Sequence, residues 1–353
     1  MKQLSRYVGT FVLGAIALVL MVVLGIDVIA ALIDGLEEVG NDYQFPDVLY
    51  HIWLTLPSRI YQHLPFASLI GCLMGLGVLA GNSELVVMRA AGVSLLRITG
   101  FVARPVLLVI VVGAMLGDFV VPYTDQLAES RKMLLKGERD SLAATSGVWN
   151  REGNEFIHFK AVYPNGRLFG VTRYRFDEQR QIEAVSFAAQ ATYADDHWLE
   201  ERGMVTRFSD AGTETESFVT RRWESSLSPD LLQLVSMAPD SLPMSKLYDY
   251  AHYLDQQGQT SSTYWLAFWT KALQPLTVLG LVLIAVSFVF GPLREATMGY
   301  RIYSGVVVGI VFQTIQQLLG PSSIVFGFSA FWAVMIPVLL SSLLGLILLR
   351  RAA

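Results

Sequence analysis

The sequence has almost no cysteine and little charge. Cys72 is the one cysteine in 353 residues, so the chain cannot form an intramolecular disulfide or a cysteine-based metal cluster. Charged residues make up 16% of the chain and hydrophobic residues 53%, and the mean hydropathy is +0.46. This composition is too apolar for a soluble protein of this length. It predicts a polytopic membrane protein.

Signatures of catalysis and nucleotide binding are also missing from the sequence. There is no Gly-x-x-x-x-Gly-Lys-Ser/Thr phosphate loop, no Gly-x-Gly-x-x-Gly, no Gly-x-Ser-x-Gly and no His-Glu-x-x-His. The five histidines are too scattered for a metal site of recognisable spacing: His51, His63, His158, His197 and His252. We therefore expect no catalytic residue and no cofactor, metal or nucleic acid bound by this chain.

Six apolar runs have about the length that a bilayer core requires, roughly 20 residues. They are residues 7–32, 64–81, 99–121, 264–290, 302–319 and 328–349. The first follows a short basic start but is too long for a secretory signal, so it is expected to remain as a span. The predicted fold class is an α-helical polytopic membrane protein with six transmembrane helices.

Basic residues in the short loops predict the orientation. They precede the first span, separate the second from the third and the fourth from the fifth, and follow the sixth: Lys2, Arg6, Arg89, Arg97, Arg294, Arg301, Arg350 and Arg351. The opposite loop, residues 34–56, carries five acids and no Lys or Arg. The positive-inside rule then places both termini in the cytoplasm.

A segment of different composition separates the third and fourth spans. Alternating aromatic and charged residues predict strands at residues 147–150, 155–162, 168–176, 182–194, 198–208 and 214–223. Strands at this spacing favour a sandwich or jelly roll. The predicted domains are residues 1–140 with the first three spans, 141–244 as an inserted periplasmic all-β jellyroll-like domain, and 245–353 with a connecting helix and the last three spans.

Residues 83–94 predict a short helix between the second and third spans. Asn82 or Ser83 could cap its start, Glu84 lies where the helix dipole favours an anion, and Gly92 could end it. The candidate residues for contact with a partner are Ser83, Glu84, Leu85, Met88, Arg89 and Gly92. An ordinary interfacial helix is the other interpretation.

Polar residues inside the spans are candidates for a cavity or gate, because ionisable groups in hydrocarbon are costly. Asp27 and Lys271 are expected at similar depth, where they could pair or could line a polar chamber. Gln313, Gln316 and Gln317 form one stripe that suits a partner subunit, a wet cavity or interhelical hydrogen bonds.

A basic cluster lies on a helical extension predicted for residues 125–140. Arg131, Lys132, Lys136 and Arg139 could contact the phosphates of an anionic lipid, or could form a solvated face balanced by neighbouring acids. Both interpretations stay open on the sequence.

Taken in order, several motifs resemble the lipopolysaccharide export permeases, the LptF/LptG family, and its LptG branch in particular. They are Ser83-Glu84-Leu85-Val86-Val87-Met88 with Ala91-Gly92, Leu64-Pro65-Phe66 through Gly75-Leu76-Gly77, Gly147-Val148-Trp149, Gln274-Pro275-Leu276, Ser287-Phe288 and Phe290-Gly291-Pro292-Leu293-Arg294. The resemblance extends over nearly the whole chain.

The resemblance implies one permease subunit of an ATP-driven exporter in the inner membrane of a Gram-negative bacterium. It implies a heterodimer with an LptF-type permease, two LptB-type ATPase subunits that hold the ATP and Mg, an LptC-type single-span protein and an LptA-type periplasmic bridge. Lipopolysaccharide would be the cargo, the helix near Glu84 would couple to the ATPase, and the first and fifth spans would form gates.

One feature departs from the family pattern. Some members carry lysines toward the outer end of the first span, whereas this chain has Asp34, Glu37 and Glu38 there. Lys132, Lys136 and Lys271, or bridging divalent cations, could take over contacts to phosphate. Two other classes remain alternatives, a secondary transporter and a structural membrane anchor for the β domain.

Overall fold

The structure is a computed structural model that describes most of the chain. The described residues are 2–40, 43–136, 148–163, 166–177, 179–194, 196–209, 212–225, 227–228, 232, 237–256, 260–291 and 296–352.

Long helices dominate both ends of the chain. In chain order the helices are α1 (Lys2–Glu37), α2 (Phe45–Gly81), α3 (Glu84–Ala90), α4 (Leu95–Met115), α5 (Val121–Lys136), α6 (Met244–Gln256), α7 (Ser262–Phe290), α8 (Met298–Phe326) and α9 (Ala330–Ala352). A π-helical turn, Leu116–Val120, joins α4 to α5. Within the described residues six helical stretches are long and apolar enough to cross a membrane, which confirms the predicted number of spans.

Helix α2 begins much earlier than its apolar run predicted, at Phe45 instead of residue 64. Its first half contains polar residues such as Asp47, His51 and Arg59, so a search for continuous hydrophobicity misses it. The helix also continues through Pro57 and Pro65, each of which removes one backbone donor.

The segment between α5 and α6 forms an antiparallel sheet. Its strands are β1 (Val148–Glu152), β2 (Glu155–Phe159), β3 (Ala161–Val162), β4 (Leu168–Phe176), β5 (Ile182–Ala194), β6 (His197–Ser209) and β7 (Gly212–Trp223). The order is β1-β2-β4-β5-β6-β7, with β3 paired to β4. The inserted β domain is therefore confirmed, and the described strands follow one another as a meander. The strand predicted over residues 155–162 is divided at Lys160 into β2 and β3.

Contacts divide the chain into two units. One contains Met1–Ala30, Leu56–Val120 and Pro243–Ala353, and the other contains Ala31–Thr55 and Val121–Leu242. The core of the sheet is fully buried at Ile157, Phe159, Val171 and Trp198.

In the first unit, glycines allow α2 to pack closely against two other helices. A Cβ on Gly71 would lie 2.5 Å from the Cα of Ile16 in α1, so no larger residue fits there. On α8, a Cβ on Gly305 or Gly309 would lie 2.5 Å from a side-chain atom of Leu73 or Phe66 of α2. Helix α2 thus packs against both α1 and α8 in this unit.

Candidate functional site

Gly92 terminates α3, as predicted: the helix ends at Ala90, Ala91 is its C-cap and Gly92 follows. The backbone of Gly92 has a φ of +83°, a region that glycine enters without a steric penalty. Its N–H donates to the carbonyl of Arg89 at 3.0 Å, and the N–H of Val93 donates to the carbonyl of Met88 at 3.1 Å. These two bonds form a Schellman motif, which stops the helix and turns the chain toward α4.

The predicted side-chain cap at the start of α3 is wrong. Ser83 has a left-handed backbone, with φ of 60°, and its side chain makes no capping hydrogen bond. A capping serine normally needs an extended backbone to reach the first N–H groups, so this conformation explains the loss. Asn82 instead donates from Nδ2 to Oε1 of Glu84 at 3.4 Å.

The side chains of α3 divide into a buried face and an exposed face. Leu85 and Met88 are 3% and 7% exposed and belong to the core of the helical unit. They were expected to meet a partner, but they anchor the helix to its own chain. The exposed apolar residues are Val86 and Val87, at 54% and 65%, and Arg89 is exposed beside them. These three side chains, with the partly exposed Glu84, form the α3 outer face.

Asp27 and Lys271 do not pair, which corrects one predicted interpretation. Asp27 binds Arg59, with 2.6 Å between Oδ2 and Nη1, and lies 3.5 Å from Nε2 of His63. Arg59 and His63 are four residues apart on α2, so both reach the same point on α1. Sequence reasoning missed these two partners because both precede the apolar run, residues 64–81, from which the second span was predicted.

Lys271 is buried against the π-helical turn. Its Nζ donates to the carbonyl of Gly117 at 3.0 Å and lies 5.9 Å from the centre of the Tyr61 ring. Asp118, in the same turn, accepts the N–H of Met244 at 2.7 Å. Wide turns of this kind often occur at functional sites. Lys271 therefore acts between helices, and its 7% exposure leaves little surface for a substrate.

The glutamine stripe on α8 faces away from the chain's own core. Gln313 and Gln317 are exposed and Gln316 is partly exposed, whereas Gly305, Gly309 and Phe312 on the same helix are buried. Interhelical hydrogen bonding within this chain does not account for such exposure. The arrangement favours a partner subunit or a wet cavity.

The basic cluster of α5 forms ion pairs with the α1–α2 connection and the start of α2. Arg131 lies 3.0 Å from Asp47 and stacks over the ring of Tyr50, and Lys132 lies 2.7 Å from Glu38. Acids on the same helix were expected to balance these basic side chains, but the acidic partners of Arg131 and Lys132 lie on other elements. Helix α5 ends at Lys136, whose side chain lies outside the described residues, as does Arg139.

Among the described residues, no group of three or more His, Cys, Asp or Glu side chains is arranged to hold a metal ion.

Comparison with known proteins gives consistent matches along the chain. The family described as lipopolysaccharide export system permease LptF/LptG matches residues 6–351. The chain is 34% identical over 342 residues to the lipopolysaccharide export system permease protein LptG of Haemophilus influenzae, covering 96% of each protein. It is 31% identical over 355 residues to the protein of the same name in Escherichia coli K12, covering 99% of this chain and 98% of that protein.

Proposed function

Because the chain belongs to the lipopolysaccharide export system permease LptF/LptG family, we propose that it is one permease subunit of an ATP-driven exporter. In this role it extracts lipopolysaccharide from the outer leaflet of the inner membrane and passes it toward a periplasmic bridge. Family membership makes the chain a multi-pass membrane transport component, which argues against a secondary transporter or a simple anchor.

The observation that carries the proposal is the α3 outer face. A short helix held by Leu85 and Met88 presents two exposed valines and charged neighbours to its surroundings. Exposed apolar side chains beside charges are typical of a protein interface. We assign this face to a separate ATPase of the LptB type, of which the complex would hold two copies. ATP and Mg would bind to the ATPase, and this chain would hold no cofactor.

The helices that pack least within the chain are candidates for contact with partner subunits. The apolar 18-residue stretches of α1 and α8 are 11% and 17% buried, whereas those of α2 and α7 are 67% buried. We assign α1 and α8, with the stripe Gln313, Gln316 and Gln317, to a gate facing an LptF-type permease. An LptC-type single-span protein and an LptA-type bridge would receive the lipid.

The proposed orientation has both termini and α3 in the cytoplasm and the β domain in the periplasm, on the charge bias of the loops. Arg131 and Lys132 would then lie on the periplasmic side as candidate contacts for lipid phosphates, each exchanging its ion pair for the lipid. Lys271 and Asp27 are better assigned to helix packing, because each has partners within the chain.

A pull-down of the ATPase tests the α3 assignment. Val87→Gln should lower ATPase recovery by about tenfold, as expected for a central interface residue, and Glu84→Arg should lower it as well. Val219→Gln is the matched control, since it makes the same change at an exposed valine on β7, outside the proposed ATPase and gate contacts. Equal recovery with Val87→Gln and Val219→Gln would remove α3 from the interface.

A further inference from the structure

The β domain contains an arginine-lined cavity to which no role has yet been assigned. Its volume is about 420 Å³, within the range of small-ligand pockets. Arg173, Arg175, Arg207, Arg221 and Arg222 all line it. Residues 148–242 contain 10 basic and 15 acidic residues. Half of the basic residues of an acidic segment therefore converge on one cavity.

The sheet register explains how the cavity forms. Arg175 on β4 pairs with Ala184 on β5, and Ala184 pairs with Arg207 on β6. Because neighbouring strands are about 4.8 Å apart, the two arginines stand about 10 Å apart across a small residue. Ser186, also small, lies two residues along the same strand. The arginines are the walls of a trough and the small residues are its floor.

A buried ion network fixes one side of the trough. Arg173, 6% exposed at its side chain, binds Glu155 at 2.8 Å and Glu200 at 3.1 Å. Glu200, 1% exposed, also binds Arg221 at 2.6 Å. Buried and multiply bonded charges of this kind are costly to separate. These four residues are therefore a rigid frame and not a ligand-binding set.

The remaining arginines are held loosely. Arg207 pairs with Glu216 at 3.1 Å, and Arg222 pairs with Glu224 at 3.4 Å, with all four side chains more than half exposed. Arg175 is 52% exposed and lies 3.6 Å from Glu155. Exposed ion pairs contribute little to stability, so these guanidinium groups can exchange partners at low cost.

Trp223 gives an independent sign of a missing acceptor. This residue lines the cavity and is 2% exposed, and its indole Nε1 is buried without a hydrogen-bond partner among the described residues. Buried N–H donors in folded proteins nearly always have an acceptor.

We propose that this trough binds a phosphate group through Arg175, Arg207 and Arg222. A guanidinium group can donate two parallel hydrogen bonds to the oxygens of a phosphate. Several guanidinium groups around one cavity favour a phosphate, which offers more acceptor oxygens than a single carboxylate. A phosphate on a lipid headgroup and free inorganic phosphate share this chemistry. The lipid as the source rests on the proposed function, since lipopolysaccharide transport would bring a phosphorylated glycolipid to this domain.

Pyrophosphate binding to the full chain in neutral detergent tests the site by calorimetry. Arg175→Gln, Arg207→Gln and Arg222→Gln combined should weaken binding by at least about tenfold, since contacts to charged groups are the strong ones. The matched control combines Arg151→Gln, Arg180→Gln and Arg202→Gln, three exposed arginines of the same domain outside the cavity. Equal affinity of the two triple variants would overturn the proposal, and so would equally strong competition by tetraglutamate.

Two lipids then identify the source of the phosphate. Lipid A should compete with pyrophosphate for the unmodified protein, and enzymatically dephosphorylated lipid A should not. Equal competition by both lipids would contradict a headgroup site, and pyrophosphate binding without lipid competition would leave a site for free phosphate. Neither result affects the ATPase pull-down, so failure of this site is separate from failure of the proposed function.

Discussion

Individual polar residues in this chain act mainly by joining elements. Asp27 joins α1 to α2, Asp118 binds the start of α6, and Lys271 joins α7 to the π-helical turn. The sequence identified Asp27 and Lys271 as unusual, because charges in apolar segments are costly. It could not assign their partners, since these depend on where α2 begins and on a backbone turn that has no sequence signature.

Tyr43, between α1 and α2, gives a prediction at this scale. Burial first, and then the charges of Glu38, Asp47 and Glu129, raise the pKa of Tyr43 to about 12. The neutral phenol is thus favoured in the folded protein. Its contribution to stability is complete below the unfolded pKa of about 10 and is lost as the pH rises through about 12.

Thermal unfolding of Tyr43→Phe in detergent should therefore depend less on pH between about 10 and about 12 than that of the unmodified protein. Tyr253→Phe, at an exposed position on α6, is the control and should keep the original slope. Identical slopes for the unmodified protein and Tyr43→Phe would show that the phenol does not contribute.

Helix α2 contacts α1, α7 and α8 in the helical unit. Pro65 has no N–H to donate to the carbonyl of Tyr61, four residues earlier. Gln274 of α7 donates its Nε2 to that carbonyl at 3.1 Å. A side chain on one helix thus replaces a backbone hydrogen bond that proline removes from another.

Gln274→Leu should lower the free energy of unfolding by about 1 kcal/mol, the typical net value of one hydrogen bond, as measured by thermal unfolding in detergent. Gln317→Leu makes the same chemical change at an exposed site on α8 and should be nearly neutral. In a Pro65→Ala background the backbone can satisfy Tyr61 itself, so Gln274→Leu should then cost less. Equal losses in both backgrounds would refute this explanation.

Elements with one dominant pattern could be predicted from the sequence, and elements with mixed patterns could not. Continuous apolar runs gave the six spans, and alternation gave the long strands such as Ile182–Ala194. The first half of α2 was missed because polar residues interrupt its pattern. On α3, Gly92 signalled the end correctly, but which residues face outward depended on tertiary packing. Spacing offered a clue there, since Leu85 and Met88 lie three residues apart and share a face that excludes Val86 and Val87.

At the scale of the whole molecule, the chain combines a bundle of membrane helices, a short exposed helix and an inserted β sheet. This arrangement supports the proposal that the chain transmits force and cradles cargo, and its sequence contains no phosphate loop for ATP hydrolysis. We propose that the energy for moving the lipid comes from a separate ATPase and enters through α3.

Reconstitution into vesicles tests this claim most directly, by measuring delivery of lipopolysaccharide to an acceptor. With an LptF-type partner, the receiving proteins, the ATPase and ATP, delivery should occur, and it should stop when the ATPase is left out or when Val87→Gln releases it. Continued delivery by this chain and its permease partner without any ATPase would contradict the proposed mechanism.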